Sequence, residues 1–299
     1  MKIAILGASG MLGSMVLEVF QQTKHKILTI TRLQDQLRHT NVDDKFIDAE
    51  KTTFQELQTL LHEVDWVINC IGIIKPYIRD DNLQDVARAI HINSLFPNSL
   101  AQAIQGSKTK IIQIATDCVF SGKTGGYVET DLHDAADVYG KSKSLGEVIT
   151  ENFYHLRVSI IGPERKTHKS LLDWVLTQPL NAPLKGFTNH SWNGITTLHF
   201  AKICLGIINH NITLNNLQHI VPKNSLNKYE MIGCFKKYFN RNDLKVEKFE
   251  TPQNIHRTLK TNYIDLNKKI WNAAGYQEIP TIEDMIKELS LYSTKSGFK

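Results

Sequence analysis

Cysteine, proline and tryptophan are all scarce in this chain of 299 residues, which contains 4, 8 and 4 of them respectively. The cysteines (Cys70, Cys118, Cys204 and Cys234) are scattered, without the paired spacing of a zinc site or the density of a disulfide-rich secreted domain. We therefore expect reduced thiols in a cytoplasmic protein. The 12 histidines are also dispersed, so no metal site is predicted.

Long apolar runs are lacking too. The stretches near Ile3–Leu6, Val67–Ile74 and Ile111–Ala115 fall far short of the ~20 residues that a membrane-spanning helix needs. The opening stretch runs straight into a glycine turn, which favours a strand over a signal peptide. No basic block with interleaved aromatic residues is present, so nucleic acid is not indicated as a partner. The net charge of +5 suits a phosphate-bearing ligand and equally an ordinary basic surface.

The first half of the chain alternates short apolar runs with amphipathic stretches. Strands are predicted at Ile3–Leu6, Ile27–Thr31, Lys45–Ile47, Trp66–Cys70, Ile111–Ala115 and His155–Ile160. Helices are predicted at Met11–Gln22, Thr53–Glu63, Asp85–Gln105 and Tyr139–Asn152. Runs that are apolar at successive positions are typical of strands buried on both faces. The pattern predicts an α/β fold, a doubly wound parallel sheet of the Rossmann type.

This alternation loses its regularity after about residue 162. Further helices are predicted at Ser170–Leu176, Leu198–Ile208, Lys228–Phe239 and Ile282–Leu291. We expect residues 1–162 to form a Rossmann-type domain and residues 163–299 a smaller α/β substrate lobe. The lobe should close over the carboxyl edge of the sheet, where open α/β sheets bind ligands. Segments near the boundary are expected to cross between the two.

A glycine-rich turn links the first predicted strand to the first helix. Its sequence is Gly7-Ala8-Ser9-Gly10-Met11-Leu12-Gly13. Gly7 permits the tight turn, Gly10 lets the backbone approach a diphosphate, and Gly13 lets helix and strand pack closely. The diphosphate then lies at the positive end of the helix dipole. The alternative, a glycine-rich turn without a ligand, is disfavoured by the strand before it and the helix after it.

Three further strand ends carry candidate cofactor contacts. Thr31-Arg32 ends the second strand, where a guanidinium and no carboxylate favour NADP(H), with NAD(H) as the alternative. Asp48 follows the third strand and is expected either to accept a hydrogen bond from the adenine amino group or to cap the next helix. Cys70-Ile71-Gly72 ends the fourth strand, where Gly72 permits close approach to the cofactor. The alternatives are that Arg32 is a solvated charge in a loop and that Gly72 only ends the strand.

Tyr139 and Lys143 are four residues apart, a spacing that places both side chains on one face of a helix. Because a nearby ammonium favours the phenolate, the pKa of Tyr139 is predicted to be lowered. Thr116, at the end of the fifth strand, is expected to hydrogen-bond a substrate carbonyl, and Lys143 to contact the nicotinamide ribose. Together these roles describe reduction of a ketone, with hydride from a nicotinamide and a proton from Tyr139.

These motifs resemble those of the extended short-chain dehydrogenases/reductases. The run Thr116-Asp117-Cys118-Val119-Phe120-Ser121-Gly122 is similar to the T-D-x-V-F-x-G of the dTDP-4-dehydrorhamnose reductases. Tyr127–Asp131, Tyr139–Glu147 and Leu156–Ser159 are similar to other motifs of that family. The resemblance is specific over about residues 1–165 and loose beyond them.

The resemblance implies that Thr116, Tyr139 and Lys143 form a catalytic triad, with NAD(P)H as hydride donor. The implied function is NADPH-dependent reduction of a nucleotide-linked 4-keto sugar for cell-surface polysaccharide synthesis. Dehydratases of the extended group have an Asp-Glu pair where this chain has Asp117-Cys118, which favours reduction over elimination. Two alternatives stay open. One is an epimerase with the same triad, and the other is a non-enzymatic NADP-binding subunit, since the family includes a subunit that associates with methionine adenosyltransferase.

Candidate substrate contacts are Thr116, Asp117, Trp192 and Arg257. Trp192 is expected to stack on a base or sugar ring or to pack in the core. Arg257 is expected to pair with a diphosphate or to form a surface ion pair. The segment Asn189–Thr197 departs from the D-Q-x-G-x-P-T pattern that the rhamnose enzymes commonly carry, so the sugar and the nucleotide stay open. A homodimer is a further open alternative.

Overall fold

The computed structural model describes residues 1–32, 42–164 and 168–296. Its strands are β1 (Lys2–Leu6), β2 (Lys26–Thr31), β3 (Asp43–Phe46), β4 (Trp66–Asn69), β5 (Lys110–Ala115), β6 (Phe153–Arg157), β7 (Ile160–Ile161), β8 (Pro183–Phe187), β9 (His190–Trp192), β10 (Ile195–Thr196), β11 (Leu217–His219), β12 (Leu226–Asn227), β13 (Lys245–Phe249) and β14 (Ile255–His256). Its helices are α1 (Met11–Phe20), α2 (Phe54–Leu61), α3 (Leu83–Ile90), α4 (Phe96–Ala103), α5 (Val138–Leu145), α6 (Leu171–Leu176), α7 (Thr197–Asn209), α8 (Lys228–Tyr238), α9 (Ile264–Ala273) and α10 (Ile282–Ser296).

Seven strands form one parallel sheet in the order β11, β6, β5, β4, β1, β2, β3. From β1 the chain builds outward to β2 and β3, and then on the other side to β4, β5 and β6. This is the doubly wound order, so the predicted Rossmann-type fold is confirmed. The strand order reverses between β1 and β4, and ligands of such sheets bind at the carboxyl ends of the strands flanking that point.

Both faces of the sheet are covered, as the apolar strands require. All four residues of Ile3–Leu6 in β1 are fully buried, with alternate side chains in two separate hydrophobic clusters. The first cluster includes α1 and α7, and the second includes α2 and α4. Because side chains of a strand alternate between faces, a run without polar residues is stable only where helices cover both sides.

The predicted helix Asp85–Gln105 is one helical run with an irregular centre. A π-helical segment, His91–Leu95, joins α3 to α4, and Pro97 lies in the first turn of α4. Because Pro97 has no N–H, the carbonyl of Asn93 loses its α-helical donor, and the wider π turn accommodates this position.

The predicted helix from Tyr139 to Asn152 is wrong beyond Leu145, where α5 ends. A Cβ on Gly146 would lie 1.9 Å from the carbonyl oxygen of Asn93, so only glycine fits where α5 meets the π-helical segment. The predicted strand His155–Ile160 also ends early. β6 ends at Arg157, the third residue of the predicted strand, and β7 pairs with β10 in a separate small sheet.

The C-terminal half returns to the central sheet. α7 packs against α1, and β11 pairs with β6 as an edge strand of the sheet. The sequence reasoning missed β11, which at three residues is too short to show a period, and α9. The division at residue 162 stays a prediction, with α7 and β11 as segments that cross it. No helix in the described part of the chain has the length and apolar composition of a membrane span.

Candidate active site

The glycine turn after β1 has the geometry of an anion-binding site. Gly7 adopts a φ of +75°, and its N–H donates to the carbonyl of Ile30 at 2.8 Å. α1 begins after Gly10 without a side-chain cap or an acidic residue in its first turn, which leaves the N–H groups of that turn for a ligand. A Cβ on Gly13 would lie 2.1 Å from the carbonyl oxygen of Gly7, so glycine is required there. The other predicted contacts of the turn are Ser9 and Met11, which are partly exposed, and Leu12, which packs in the core.

The predicted contact segment Cys70-Ile71-Gly72 lies directly beside this turn. A Cβ on Gly7 would lie 3.0 Å from Ile71 Cγ1 and 3.3 Å from the carbonyl carbon of Cys70. Gly72 is exposed, as an approach to a ligand requires. Burial raises the pKa of the Cys70 thiol far above its usual value, so this thiol is neutral.

The end of β2 presents Thr31 and Arg32. Thr31 is buried, and its Oγ1 has no hydrogen-bond partner among the residues that the structure describes, whereas Arg32 is exposed. After β3, the carboxylate of Asp48 accepts the backbone N–H two residues further on. The cap of α2 is Thr53, which forms a reciprocal capping box with Glu56. The prediction that Asp48 caps this helix is therefore wrong, and its contact with adenine stays a prediction.

Thr116 and Asp117 follow β5 and are both buried, at 7% and 6% exposure. A single 3-10 turn, Asp117–Val119, begins here, with Thr116 as its cap. Thr116 Oγ1 accepts the N–H of Cys118 at 3.2 Å and lies 3.3 Å from Asp117 Oδ1. The end of β5 is thereby folded back, and the Thr116 hydroxyl is held in place.

The start of α5 packs onto this turn. Asp137 caps the helix by accepting the N–H of Gly140 at 2.8 Å, and it forms an ion pair with Lys75 at 2.8 Å. A Cβ on Gly140 would lie 2.3 Å from the carbonyl oxygen of Cys118. Glycine therefore allows the contact that brings the neighbouring Tyr139 towards Thr116.

The pKa of Tyr139 is raised, so the prediction that it is lowered is wrong. Burial is the largest cause and Cys118 adds to it, while a hydrogen bond with Thr116 acts in the opposite direction. The expected effect of Lys143 is missing because its ammonium turns to the backbone and donates to the carbonyl of Ile114 at 3.0 Å. Tyr139 is consequently a protonated phenol at neutral pH.

Lys143 is also buried, at 7% exposure. Burial lowers its pKa to about 8, and the Glu147 carboxylate opposes the shift. The ammonium is thus still mostly protonated at pH 7. Residues 138–145 are helical as the spacing required, so a neutral phenol and a buried cation occupy one face of α5.

Two cations from the C-terminal half face the end of β5. Arg257 donates from Nε to the carbonyl of Phe120 at 2.9 Å. Lys228 opens α8, and its Nζ lies 5.7 Å from the ring centroid of Trp192. Burial raises the pKa of Asp117, and the charges of Arg257 and Lys228 oppose that rise. Sequence reasoning missed Lys228, because a single lysine at the start of a helix carries no distinguishing pattern.

The structure brings Thr116, Asp117 and Arg257 together but places Trp192 in the core. Trp192 is 5% exposed, and its indole N–H donates to Ser159 Oγ at 2.8 Å. Of the two predicted roles for this ring, packing is the one observed. No group of three or more His, Cys, Asp or Glu side chains suited to a metal ion occurs among the residues that the structure describes.

Asn93 is a second residue that sequence reasoning missed. It is 1% exposed within the π-helical segment. Its side chain accepts from the N–H of Ile73 at 3.0 Å, donates to the Ile73 carbonyl at 2.9 Å, and donates to Ser142 Oγ at 3.1 Å. Asn93 thereby joins the segment after β4 to α5. A polar residue within a predicted buried helix was the available signal.

Comparison with known proteins identifies the family. The family model described as the RmlD substrate binding domain matches residues 1–292. A probable low-salt glycan biosynthesis reductase of Haloferax volcanii is 30% identical over 48% of this chain and 46% of its own length. The dTDP-4-dehydrorhamnose reductase of Mycolicibacterium smegmatis is 26% identical over 49% of this chain and 40% of its own length. The beta subunit of methionine adenosyltransferase 2 of Danio rerio is 24% identical over 80% of this chain and 74% of its own length. The matches to both reductases therefore span less than half of those proteins.

Solved structures share the fold along the whole chain. A dTDP-4-dehydrorhamnose reductase of Bacillus anthracis in complex with NADP has a TM-score of 0.76 at 19% identity, covering 98% of this chain and 99% of that one. A dTDP-4-dehydrorhamnose reductase of Clostridium acetobutylicum has a TM-score of 0.74 at 21% identity, covering 98% and 100%. At these identities the likeness concerns the fold alone. Since the family model covers residues 1–292, this chain belongs to the RmlD substrate binding domain family.

Proposed function

We propose that this chain is an NADPH-dependent reductase of a nucleotide-linked 4-keto sugar and serves the synthesis of cell-surface polysaccharide. One observation carries the proposal. Thr116, a protonated Tyr139 and Lys143 meet at the carboxyl end of β5, and the same edge of the sheet holds the uncapped start of α1. A proton donor and an anion site on one edge are what reduction by a nicotinamide dinucleotide requires.

The residues at this edge fit a dinucleotide. The N–H groups of the first turn of α1 would hold the diphosphate, and Gly10, which has no side chain, leaves the backbone open to it. Thr31 and Arg32 would hold the adenosine ribose, and the Oγ1 of Thr31, which has no partner in the described part of the chain, is a hydrogen-bonding group at that point. The guanidinium of Arg32 favours a 2′-phosphate. This supports NADP(H) as the cofactor, with NAD(H) as the alternative.

When bound, NADPH supplies a hydride to the carbonyl carbon. Tyr139 donates the proton that the carbonyl oxygen gains. Its raised pKa suits this role, because the phenol is protonated at neutral pH and the forming alkoxide is a stronger base than a phenolate. Thr116 Oγ1 donates a hydrogen bond to the same oxygen. Lys143, on the same face of α5, would contact the nicotinamide ribose.

The cleft also favours an anionic substrate and a reduction. Arg257 and Lys228 supply two positive charges near Asp117, which suits the phosphates of a nucleotide-linked sugar. The pKa of Cys118 is raised to about 12, first by burial and then by the Asp117 carboxylate. A thiol that stays neutral cannot exchange protons as a carboxylic acid does in an elimination, which supports reduction over dehydration.

A regulatory subunit is the second candidate. The match to the methionine adenosyltransferase 2 beta subunit covers 80% of this chain, whereas the reductase matches cover 48% and 49%. That longer match includes most of the C-terminal half. The presence of all three residues Thr116, Tyr139 and Lys143 supports an enzyme instead.

Oxidation of NADPH tests the proposal, measured with dTDP-, UDP- and GDP-linked 4-keto sugars and repeated with NADH. We expect turnover of at least one sugar nucleotide and a higher kcat/KM with NADPH. Tight binding of NADPH without turnover of any sugar would favour the regulatory subunit. A clear preference for NADH would contradict the role of Arg32.

A further inference from the structure

Arg157 is a fully buried cation next to the candidate active site. It ends β6, where it is the register partner of Ala115, the residue before Thr116. A guanidinium out of water is stable only when its charge and N–H groups are matched. Glu147 matches the charge by accepting from Nε at 3.1 Å and from Nη2. Glu147 lies just beyond α5, four residues after Lys143, so Arg157 is tied to the end of the catalytic helix.

The other N–H groups of Arg157 bind two histidines. Nη1 lies 2.9 Å from His219 Nε2, and Nη2 lies 2.6 Å from His133 Nε2. Because a guanidinium can only donate, each Nε2 must be an acceptor, so both rings are neutral with the proton on Nδ1. The Nδ1 partners agree with this, since they are the carbonyl of Lys260 for His219 and Ser144 Oγ for His133.

From His219 the network continues to the segment that carries Arg257. The Glu129 carboxylate accepts from the backbone N–H of His219 at 3.0 Å and from Thr261 Oγ1 at 2.6 Å. Together with the bond from His219 to the Lys260 carbonyl, this holds residues 260–261 on the sheet edge. Arg257, three residues before Lys260, contacts the catalytic side again through the carbonyl of Phe120.

The Phe120 ring provides a second connection between Arg157 and the segment that carries Arg257. The Cζ of Arg157 lies 5.1 Å from the centroid of the Phe120 ring, and that ring stacks on Tyr127 at 4.2 Å. Tyr127 exchanges backbone hydrogen bonds with the Arg257 segment, accepting from Lys260 at 2.7 Å and donating to Thr258 at 3.0 Å. Arg157 thus contacts the turn after β5, the end of α5 and β11 at once.

We propose that Arg157, with His133 and His219 as its neutral acceptors, is a positioning residue that couples α5 to the Arg257 segment. The proposal rests on the proposed function for the identity of the site, although not for the coupling itself. Loss of an acceptor shifts Arg257 relative to Tyr139. The glycine turn lies outside this network, so its contacts with NADPH are unaffected.

The geometry also makes the coupling dependent on pH. The charged groups that face the two rings are Arg157, Glu147, Glu129 beside His219, and Asp134 beside His133. Burial is the largest cause that lowers the pKa of both rings, that of His219 to about 4, and Arg157 lowers both further while the carboxylates oppose it. If either ring took a proton on Nε2, its new N–H would face an N–H group of Arg157, and the hydrogen bond between them would be lost. The coupling is therefore complete at neutral pH and is lost as the pH falls towards 4.

Two substitutions of His219 distinguish a positioning role from a general loss of structure. His219→Leu removes the acceptor, whereas His219→Gln keeps an oxygen that can accept from Arg157. His199→Gln is the matched control, because His199 is another fully buried histidine but pairs with Glu288 instead. The readouts are affinities of the NADPH-loaded chain for dTDP and UDP, measured by calorimetry at pH 4 and pH 7, and the affinity for NADPH.

We expect His219→Leu to weaken nucleotide binding by about tenfold or more, since a buried donor is left unpaired. His219→Gln should retain most of the affinity, and neither it nor His199→Gln should alter binding of NADPH. Wild-type affinity should fall from pH 7 to pH 4 more steeply than that of the double variant His133→Gln/His219→Gln. Unchanged nucleotide affinity in His219→Leu, or equal losses in the Leu and Gln variants, would overturn the proposal.

A wild-type chain that binds neither dTDP nor UDP would count against the proposed function and not against the coupling. Amide hydrogen exchange then decides the question. In His219→Leu, exchange should become faster both at Tyr127 and Lys260 and in α5, which is linked to His219 through Arg157 and His133. Faster exchange at Tyr127 and Lys260 with α5 unchanged would overturn the coupling.

Discussion

Tyr139 acts, on the proposed mechanism, as an acid that its surroundings keep protonated. Burial and the neighbouring Cys118 raise the pKa of its phenol, and Thr116 is the group that lowers it. Lys143 donates to the carbonyl of Ile114 at 3.0 Å, so its ammonium is directed away from the phenol. The surroundings of Tyr139 therefore keep the proton on the phenol until transfer, and Lys143 keeps its proposed role at the nicotinamide ribose.

Tyr139→Phe should reduce kcat by about 10²- to 10⁴-fold, the usual contribution of a positioned general acid. Affinity for NADPH should be nearly unchanged, because the glycine turn and the end of β2 are untouched. Steady-state NADPH oxidation and fluorescence titration measure the two quantities. Tyr238→Phe is the control, since that hydroxyl binds Glu283 outside the site. Wild-type turnover by Tyr139→Phe would disprove the assigned proton donor.

The N-termini of α1 and α5 both lie at the site, and the position of each helix depends on a glycine. In α1 the carbonyl of Gly7 occupies the space of a Cβ at Gly13, and in α5 the carbonyl of Cys118 occupies that at Gly140. At its other end α5 stops where Gly146 contacts the π-helical segment around Asn93. The length and position of α5 are thus set by contacts at both ends rather than by helix propensity.

Gly13→Ala and Gly10→Ala should have separable effects. A Cβ at Gly13 would lie 2.1 Å from backbone, so we expect a loss of about 1–3 kcal/mol in the free energy of unfolding. At Gly10 the nearest atom would be 3.4 Å away, an ordinary contact, so stability should be retained while binding of NADPH weakens. Urea unfolding and NADPH titration distinguish the two. Equal stability of both variants would show that α1 can move away from β1.

The molecule as a whole buries several neutral histidines. Burial is the largest cause of the lowered pKa of His155, to about 4, and of His219, also to about 4. It likewise lowers the pKa of His133 and His199. In the unfolded chain these groups take protons near pH 6.5, whereas in the folded protein they do so only at lower pH.

The free energy of unfolding should therefore fall as the pH drops from about 6.5 to 4. Within that window the unfolded state binds more protons, and His155 and His219 each contribute on the order of 3 kcal/mol. Urea denaturation at intervals from pH 4.5 to 7.5 measures the slope. His155→Gln should make the profile less steep, because it removes one of the titrating groups. A flat profile for the wild type would contradict the burial of these rings as neutral groups.

The fold was predictable from the sequence because it depends on patterns that are local. Uninterrupted apolar strands require cover on both faces, and Gly7, Gly10 and Gly13 between a strand and a helix have a backbone reason to be glycine. The spacing of Tyr139 and Lys143 placed both on one face of a helix that the structure contains. Each of these inferences needs only neighbours within a few residues or a period along the chain.

What the tertiary structure decided involves residues far apart in the sequence. Burial, with Cys118 as a second cause, reversed the expected pKa shift of Tyr139, and the ammonium of Lys143 bonds the carbonyl of Ile114, 29 residues away. Lys228 belongs to the other half of the chain, and its charge acts on Asp117. The sequence determined which groups could do the chemistry, since residue type and local spacing carry that information. Only folding decided their electrostatics, because burial and long-range pairing set the free energy of each charged state.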